Sequence, residues 1–169
     1  DNMIQAVKIA EDPSVSVPVM VTTDGFIISH AMETIELCDT GRIQEFIGPF
    51  KGPYTLLDPA KPITVGSIDL FDYYFEHKRA QVEAMDNCSA VITKAGQEYG
   101  RVFGRKYGLI ELYRMDDAEV AVVLLGSTAG TAKVVIDELR EKGVKAGMAK
   151  IRVYRPFPSA ELAGALAGV

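Results

Sequence analysis

The chain has 169 residues, 48% hydrophobic and 24% charged, which suits one domain or parts of two with a core that needs no disulfide or metal staple. Its net charge of −5 argues against nonspecific nucleic-acid binding and against attachment to an anionic membrane, since both reward a basic surface. No apolar run is long enough to span a bilayer, and no charged stretch leads into an apolar one as in a secretory signal.

Residues 2–12 place Ile4, Val7 and Ile9 at helical spacing, and Pro13 predicts that this helix ends at Asp12. Residues 15–22, VSVPVMVT, read as a short buried strand closed by turn chemistry at Asp24-Gly25. A second helix is expected around Ser29 to Leu37. Residues 39–70 then lose all periodicity to Gly41, Gly48, Pro49, Gly52, Pro53, Pro59, Pro62 and Gly66, so a long irregular connection and a domain boundary are expected here.

From Asp72 a long helix is predicted, with Val82, Met85, Cys88, Ile92, Ala95, Tyr99 and Val102 forming one apolar stripe. Gly96, Gly100 and Gly104 weaken its C-terminal half, which is expected to fray or end there. The pattern then alternates. Residues 109–113 and 118–125 read as strands, the second buried on both faces. A helix from Thr131 to Lys142 is closed by Gly143, a strand follows at 146–154, and Ser159 is expected to cap a last helix from Ala160. This order implies a parallel α/β sheet with right-handed crossovers. No methionine precedes Asp1 and no strand follows the last helix, so the chain is expected to be a middle section of something longer.

Three features could carry chemistry, and each also has a plainer reading. The turn 126–131, GSTAGT, sits between strand and helix, where backbone N–H groups of Gly126, Ser127 and Gly130 could hold a phosphate. It lacks both the three-glycine dinucleotide fingerprint and the P-loop lysine, and small residues at a tight βα turn explain it as well. Asp24, at the C-terminal end of a predicted strand, and His30, a possible proton shuttle, form the second; the alternative is a turn aspartate and an interface histidine. The third is the block Tyr73 to Arg79, YYFEHKR, whose aromatics suggest docking against another domain or chain. His77 has no partner at metal-ligand spacing. Cys38 and Cys88 lack CxxC spacing and read as reduced thiols, too few for an iron–sulfur cluster.

Several blocks resemble one family. VPVMVTTDGFIISH (17–30), PITVGSIDLFDYYFEHKRAQVEAM (62–85) and the stretch 107–158, with its LLGSTAGTAK and RPFP, are similar to the alpha subunits of 2-oxoacid:ferredoxin oxidoreductases, the pyruvate enzymes above all. The resemblance implies three parts. Residues 1–38 would be the C-terminal part of a pyrimidine-type thiamine domain, 39–70 an interdomain linker, and 71–169 a transketolase-C-terminal-like domain incomplete at its end. It further implies oxidative decarboxylation of pyruvate to acetyl-CoA and CO2 with reduction of ferredoxin, or the reverse. The complex would use thiamine diphosphate with Mg2+ and iron–sulfur clusters, none of them expected to be bound by this chain alone.

Thiamine-binding beta, gamma and iron–sulfur delta subunits would be the partners, with coenzyme A and ferredoxin reached through the complex, in the cytoplasm and without nucleic acid or membrane. The pyrimidine-activating glutamate and the substrate-binding threonine and arginine would lie upstream of residue 1. Only Asp24 and His30 are left near a substrate entrance, by analogy with the Asp-Gly-x-x-His loop of transketolases, whose spacing differs. The competing readings are a non-catalytic assembly module, a nucleotide-binding regulatory domain using the 126–131 turn, and the same enzyme class acting on 2-oxoglutarate, branched 2-oxoacids or oxalate.

Overall fold

Helix α1 (Asn2–Ala10) forms where the spacing predicts it and buries Gln5, Ala6 and Ile9. The structure, a computed structural model, describes residues 1–66 and 68–169; Ser67, inside the expected connection, lies outside the described residues. After α1 the expected strand at 15–22 is not formed. Val15 is buried and Val17 packs against the same core, but Val19 and Met20 point to solvent. A strand exists only through a neighbour's ladder, and among the described residues none lies alongside this segment.

The helix expected at 29–37 shrinks to α2 (Ile27–His30), and residues 31–39 carry no regular element. Its apolar positions have nothing to pack on: Met32 is 100% exposed, and a short helix without tertiary packing does not hold. The expected irregular connection instead contains α3 (Thr40–Ile47). Asp39 caps it by accepting the Arg42 backbone N–H at 2.9 Å, and Phe46 anchors it against Tyr99 and Phe103. Cap and anchor together outweigh Gly41. The described remainder of that connection, 48–66 and 68–70, carries no helix or strand, as expected, and the long helix begins two residues later than Asp72.

Helix α4 (Tyr74–Phe103) is the longest element, and Gly104, left-handed at φ 78°, terminates it. Cys88, Ile92, Ala95 and Tyr99 of the predicted stripe are buried; Val82 is not, and residues 74–83 project as about 15 Å of exposed helix. Gly96 and Gly100, expected to loosen the helix, are buried inside it. They are small because the returning chain at Lys106 and Tyr107 crosses directly over them.

Strands β1 (Ile110–Tyr113), β2 (Val120–Leu124) and β3 (Ala146–Ile151) form one sheet in the order β1-β3-β2. β2 and β3 pair in parallel, Val122 opposite Met148, whereas β1 runs antiparallel to β3, Tyr113 opposite Met148. The sheet is therefore partly parallel. Contrary to expectation β2 is not buried on both faces: it is one of the two edges, with Val120, Val122 and Val123 exposed, and β3 is the buried centre. An apolar run reports that burial is favourable, not which neighbours supply it.

Helix α5 (Thr128–Glu141) starts three residues earlier than expected and lays Ala129 and Ile136 on Ala146 and Met148, forming one core. A second core joins Ile9 and Val15 to Cys88, Ile92, Ala95 and Leu109. Helix α6 (Ser159–Leu166) buries no residue, and Pro158, not Ser159, occupies its cap position.

The crossing over α4 can be tested. A Cβ at Gly96 would press into the Tyr107 carbonyl, so Gly96→Ala is expected to destabilise the fold by about 1–3 kcal/mol despite alanine's better helix propensity. Urea unfolding measures this; an unchanged midpoint would mean that the returning chain yields freely.

Candidate functional site

Two of the sequence-selected features, a hundred residues apart, meet in space. The backbone N–H of Ser127, at the N-terminus of α5, donates to the Asp24 carboxylate. Gly126, at φ 68°, brings the chain so close that a Cβ there would lie 2.7 Å from both Asp24 carboxylate oxygens. Hydrogen bonding from the Ser127 hydroxyl, then from its backbone N–H, holds the Asp24 carboxyl below its ordinary value, with Lys150 adding a favourable charge. The seat that a phosphate would take is filled by an internal carboxylate. Gly130 takes no part, since a Cβ there would meet open space.

His30 lies on the same turn but finds its partners locally. Its ring stacks on Phe26 with centroids 4.6 Å apart, and its Nδ1 shares a hydrogen bond with Ser29 Oγ at 2.8 Å. Ser29 Oγ also accepts the Phe26 backbone N–H at 2.9 Å. The histidine is exposed. In the third feature, His77 Nδ1 stands 2.7 Å from Asp69 Oδ2, and Lys78 lies over the Tyr74 ring. Phe71, Tyr73, Tyr74 and Phe75 are all exposed, so their burial, if it occurs, takes place against another surface.

Sequence reasoning missed one polar cluster of the fold. Tyr99, fully buried, donates to Asp1 Oδ1 at 2.8 Å and lies 3.4 Å from Cys38 Sγ. Arg105 bridges Asp1 through Nε at 2.6 Å and Cys38 Sγ through Nη2 at 3.2 Å, and Tyr107 donates to Asp1 at 2.5 Å. The Tyr99 hydroxyl, then the Arg105 guanidinium, pull the Cys38 thiol below its ordinary value. Burial and the neighbouring thiol push Tyr99 up to about 12. Cys88 is shifted the other way, upward, by burial alone. No local pattern signals this cluster, because its members come from the residue capping α1, from α4 and from two loops.

The described residues do not fit the thiamine diphosphate and Mg2+ that the resemblance implies. Among them no three His, Cys, Asp or Glu side chains converge as metal ligands, and the α5 N-terminus is taken by Asp24. Elsewhere, a cleft of about 470 Å³ opens between α1, α3 and α4, but its Lys8 is already bound to Glu98 at 3.1 Å and to the Phe46 carbonyl at 2.7 Å. No helix among the described residues is long and apolar enough to cross a membrane.

Comparison with known proteins gives a consistent picture. Residues 1–97 match the family model described as pyruvate flavodoxin/ferredoxin oxidoreductase, thiamine diphosphate-binding, and residues 118–169 match the pyruvate:ferredoxin oxidoreductase core domain II. The chain is 49% identical over 168 residues to the pyruvate synthase subunit PorA of Thermotoga maritima, covering 99% of this chain and 43% of that protein. It is 42% identical over 164 residues to PorA of Methanocaldococcus jannaschii, covering 96% of this chain and 42% of that protein. It is 37% identical over 163 residues to the ketoisovalerate oxidoreductase subunit VorA of Pyrococcus horikoshii, covering 96% and 41% respectively. The chain thus spans about two fifths of the length of these relatives.

The opposite shifts of the two thiols predict their reactivity. Cys38, partly exposed and acidified, is expected to be alkylated roughly tenfold faster than buried Cys88 at pH 8, as read by mass spectrometry of a limited iodoacetamide time course. Equal rates would show that the Tyr99–Arg105 environment does not activate Cys38.

Proposed function

The chain belongs to the pyruvate flavodoxin/ferredoxin oxidoreductase family, and from that premise we propose that it is part of the alpha-type subunit of a multi-subunit 2-oxoacid:ferredoxin oxidoreductase acting on pyruvate. The reaction is oxidative decarboxylation of pyruvate to acetyl-CoA and CO2 with ferredoxin reduced, or its reverse. The observation that carries the substrate is the 49% identity, over 99% of the chain, to a relative named pyruvate synthase subunit PorA. The similarity to a ketoisovalerate oxidoreductase subunit favours branched 2-oxoacids as the second reading.

In this reading the chain braces and docks. Its exposed area of 12374 Å² supports that role, because a compact monomer of 18.4 kDa exposes about 8,200 Å². The excess, about 4,000 Å² on this chain alone, is larger than the roughly 1,000–2,500 Å² that one partner contributes to an obligate interface, so the rest of the subunit and its partners together have ample surface to cover. Much of it is apolar and contributed by residues such as Met32, Leu57 and Phe71. Thiamine diphosphate, Mg2+ and iron–sulfur clusters then belong to the remainder of the subunit and to thiamine-binding beta, gamma and iron–sulfur delta partners. Coenzyme A and ferredoxin are met by the assembled complex in the cytoplasm. Residues 1–38 close a thiamine-type domain, 39–70 connect, and 71–169 form most of a transketolase-C-terminal-like domain.

The full-length subunit, co-expressed with its partners, provides the test. Coenzyme A-dependent viologen reduction is expected with pyruvate, at a kcat/KM at least about tenfold above that with ketoisovalerate, the discrimination that a few methyl groups allow. A reversed preference would move the assignment to the branched-chain enzymes. An assembled complex inert toward every 2-oxoacid would leave only the assembly-module reading.

A further inference from the structure

From Pro18 to Leu37 every residue is exposed except Val21 and Asp24. The segment is packed at one end, where Val17 joins the α1–α4 core, and tied at the other, where Cys38 meets Tyr99 and Arg105. Among the described residues, the twenty residues between these points are hydrogen-bonded to another part of the fold at one place, where Asp24 meets Ser127.

That contact has the marks of a specific fit. The acceptor is a carboxylate at the N-terminus of a 14-residue helix, where the helix dipole favours negative charge. Its neighbour Gly126 leaves no room for a side chain against either carboxylate oxygen and holds a left-handed φ that other residues disfavour. Directly after Asp24 the chain makes a tight turn in which the non-glycine Phe26 sits at φ 63°, Phe26 stacks on His30, and Ser29 bridges the two. A turn with one residue in so sparsely populated a conformation persists only when its surroundings hold it. None of its own side chains is buried.

We propose that Asp24 is a positioning residue: seated on the Ser127 N–H beside Gly126, it pins the Phe26–Ser29–His30 turn against the C-terminal end of β2. The turn is joined to α5 and the sheet through this one carboxylate, and His30 takes its place from it. The role is mechanical in origin, acting through α5, and it applies whatever molecule approaches the turn. Its consequence for substrate rests on the oxidoreductase reading.

The experiment uses the full-length subunit in its assembled complex and compares wild type with Asp24→Ala, Asp24→Asn and Gly126→Ala. Hydrogen exchange followed by mass spectrometry is expected to speed up about tenfold or more across residues 25–30 in Asp24→Ala and Gly126→Ala, with α4 and β3 unchanged. Asp24→Asn, which keeps an acceptor but loses the charge, is expected to recover protection in part. In the same samples, KM for pyruvate rises several-fold while kcat stays within about twofold and thiamine content is unaltered. Unchanged exchange at 25–30 in Asp24→Ala would overturn the proposal, as would a loss of protection spread evenly over the whole 110–166 region. A complex inert toward every 2-oxoacid would sink the oxidoreductase reading while leaving the exchange measurement to decide the role of Asp24.

Discussion

The fold turns on one close crossing. Helix α4 ends at Gly104, and the chain doubles back so that Lys106 and Tyr107 pass over Gly100 and Gly96 at a separation no side chain would permit. That return carries Leu109 into the α1–α4 core and delivers β1 to the sheet. It also closes an aromatic box in which Tyr99 meets Phe46, Phe103 and Tyr107. With a larger residue at position 96 or 100, the strand module would have to stand away from the helix that supports it, since close-packed interiors leave little slack.

Polar contacts then lock the two halves around this crossing. Arg152, just beyond β3, is half-buried, and desolvation pushes its guanidinium below the ordinary value. It is satisfied by the Gln5 and Asn2 side chains of α1, each at 3.0 Å through Nη2, by the Gly108 carbonyl at 3.0 Å and by the face of Tyr107. Neutral acceptors and an aromatic ring can hold a guanidinium where a lone ammonium would be costly. Gln5, itself fully buried, has its amide engaged on both sides, by Arg152 and by the Asp1 carbonyl. Helix α1, packed on α4, is thereby also tied by hydrogen bonds to the end of β3.

What the support presents is a surface made to be covered. The first ten residues of α4, the described residues of the 48–66 and 68–73 stretches and the edge of β2 all display large apolar side chains. Beside β2, an apolar groove lined by Val120, Val122, Val135 and Leu139 continues this surface. A lone soluble domain seldom shows so much. The polar contacts at Asp24 and Asp1 fix segments that would otherwise lie loosely against that surface, so order is concentrated where the chain has few buried side chains to supply it.

Much was legible in the amino-acid order itself. Helices α1, α4 and α5, all three strands and the α/β class follow from periodicity, proline placement and terminal glycines, which act within a few residues of one another. The family followed from motifs such as DGFIISH and LLGSTAGTAK, which are local as well. Asp24 and the 126–131 turn could each be singled out, but not their contact, because no rule links residues 24 and 127 until the fold brings them together. The same holds for the Cys38 cluster, for the smallness of Gly96 and Gly100, and for the choice of β3 over β2 as the central strand. The sequence by itself set α1, α4, α5, α6 and the three strands, since their propensities are local. The tertiary structure alone decided which strand is buried, where the chain may cross and which carboxylate fills the N-terminus of α5, since each of these depends on neighbours far along the chain.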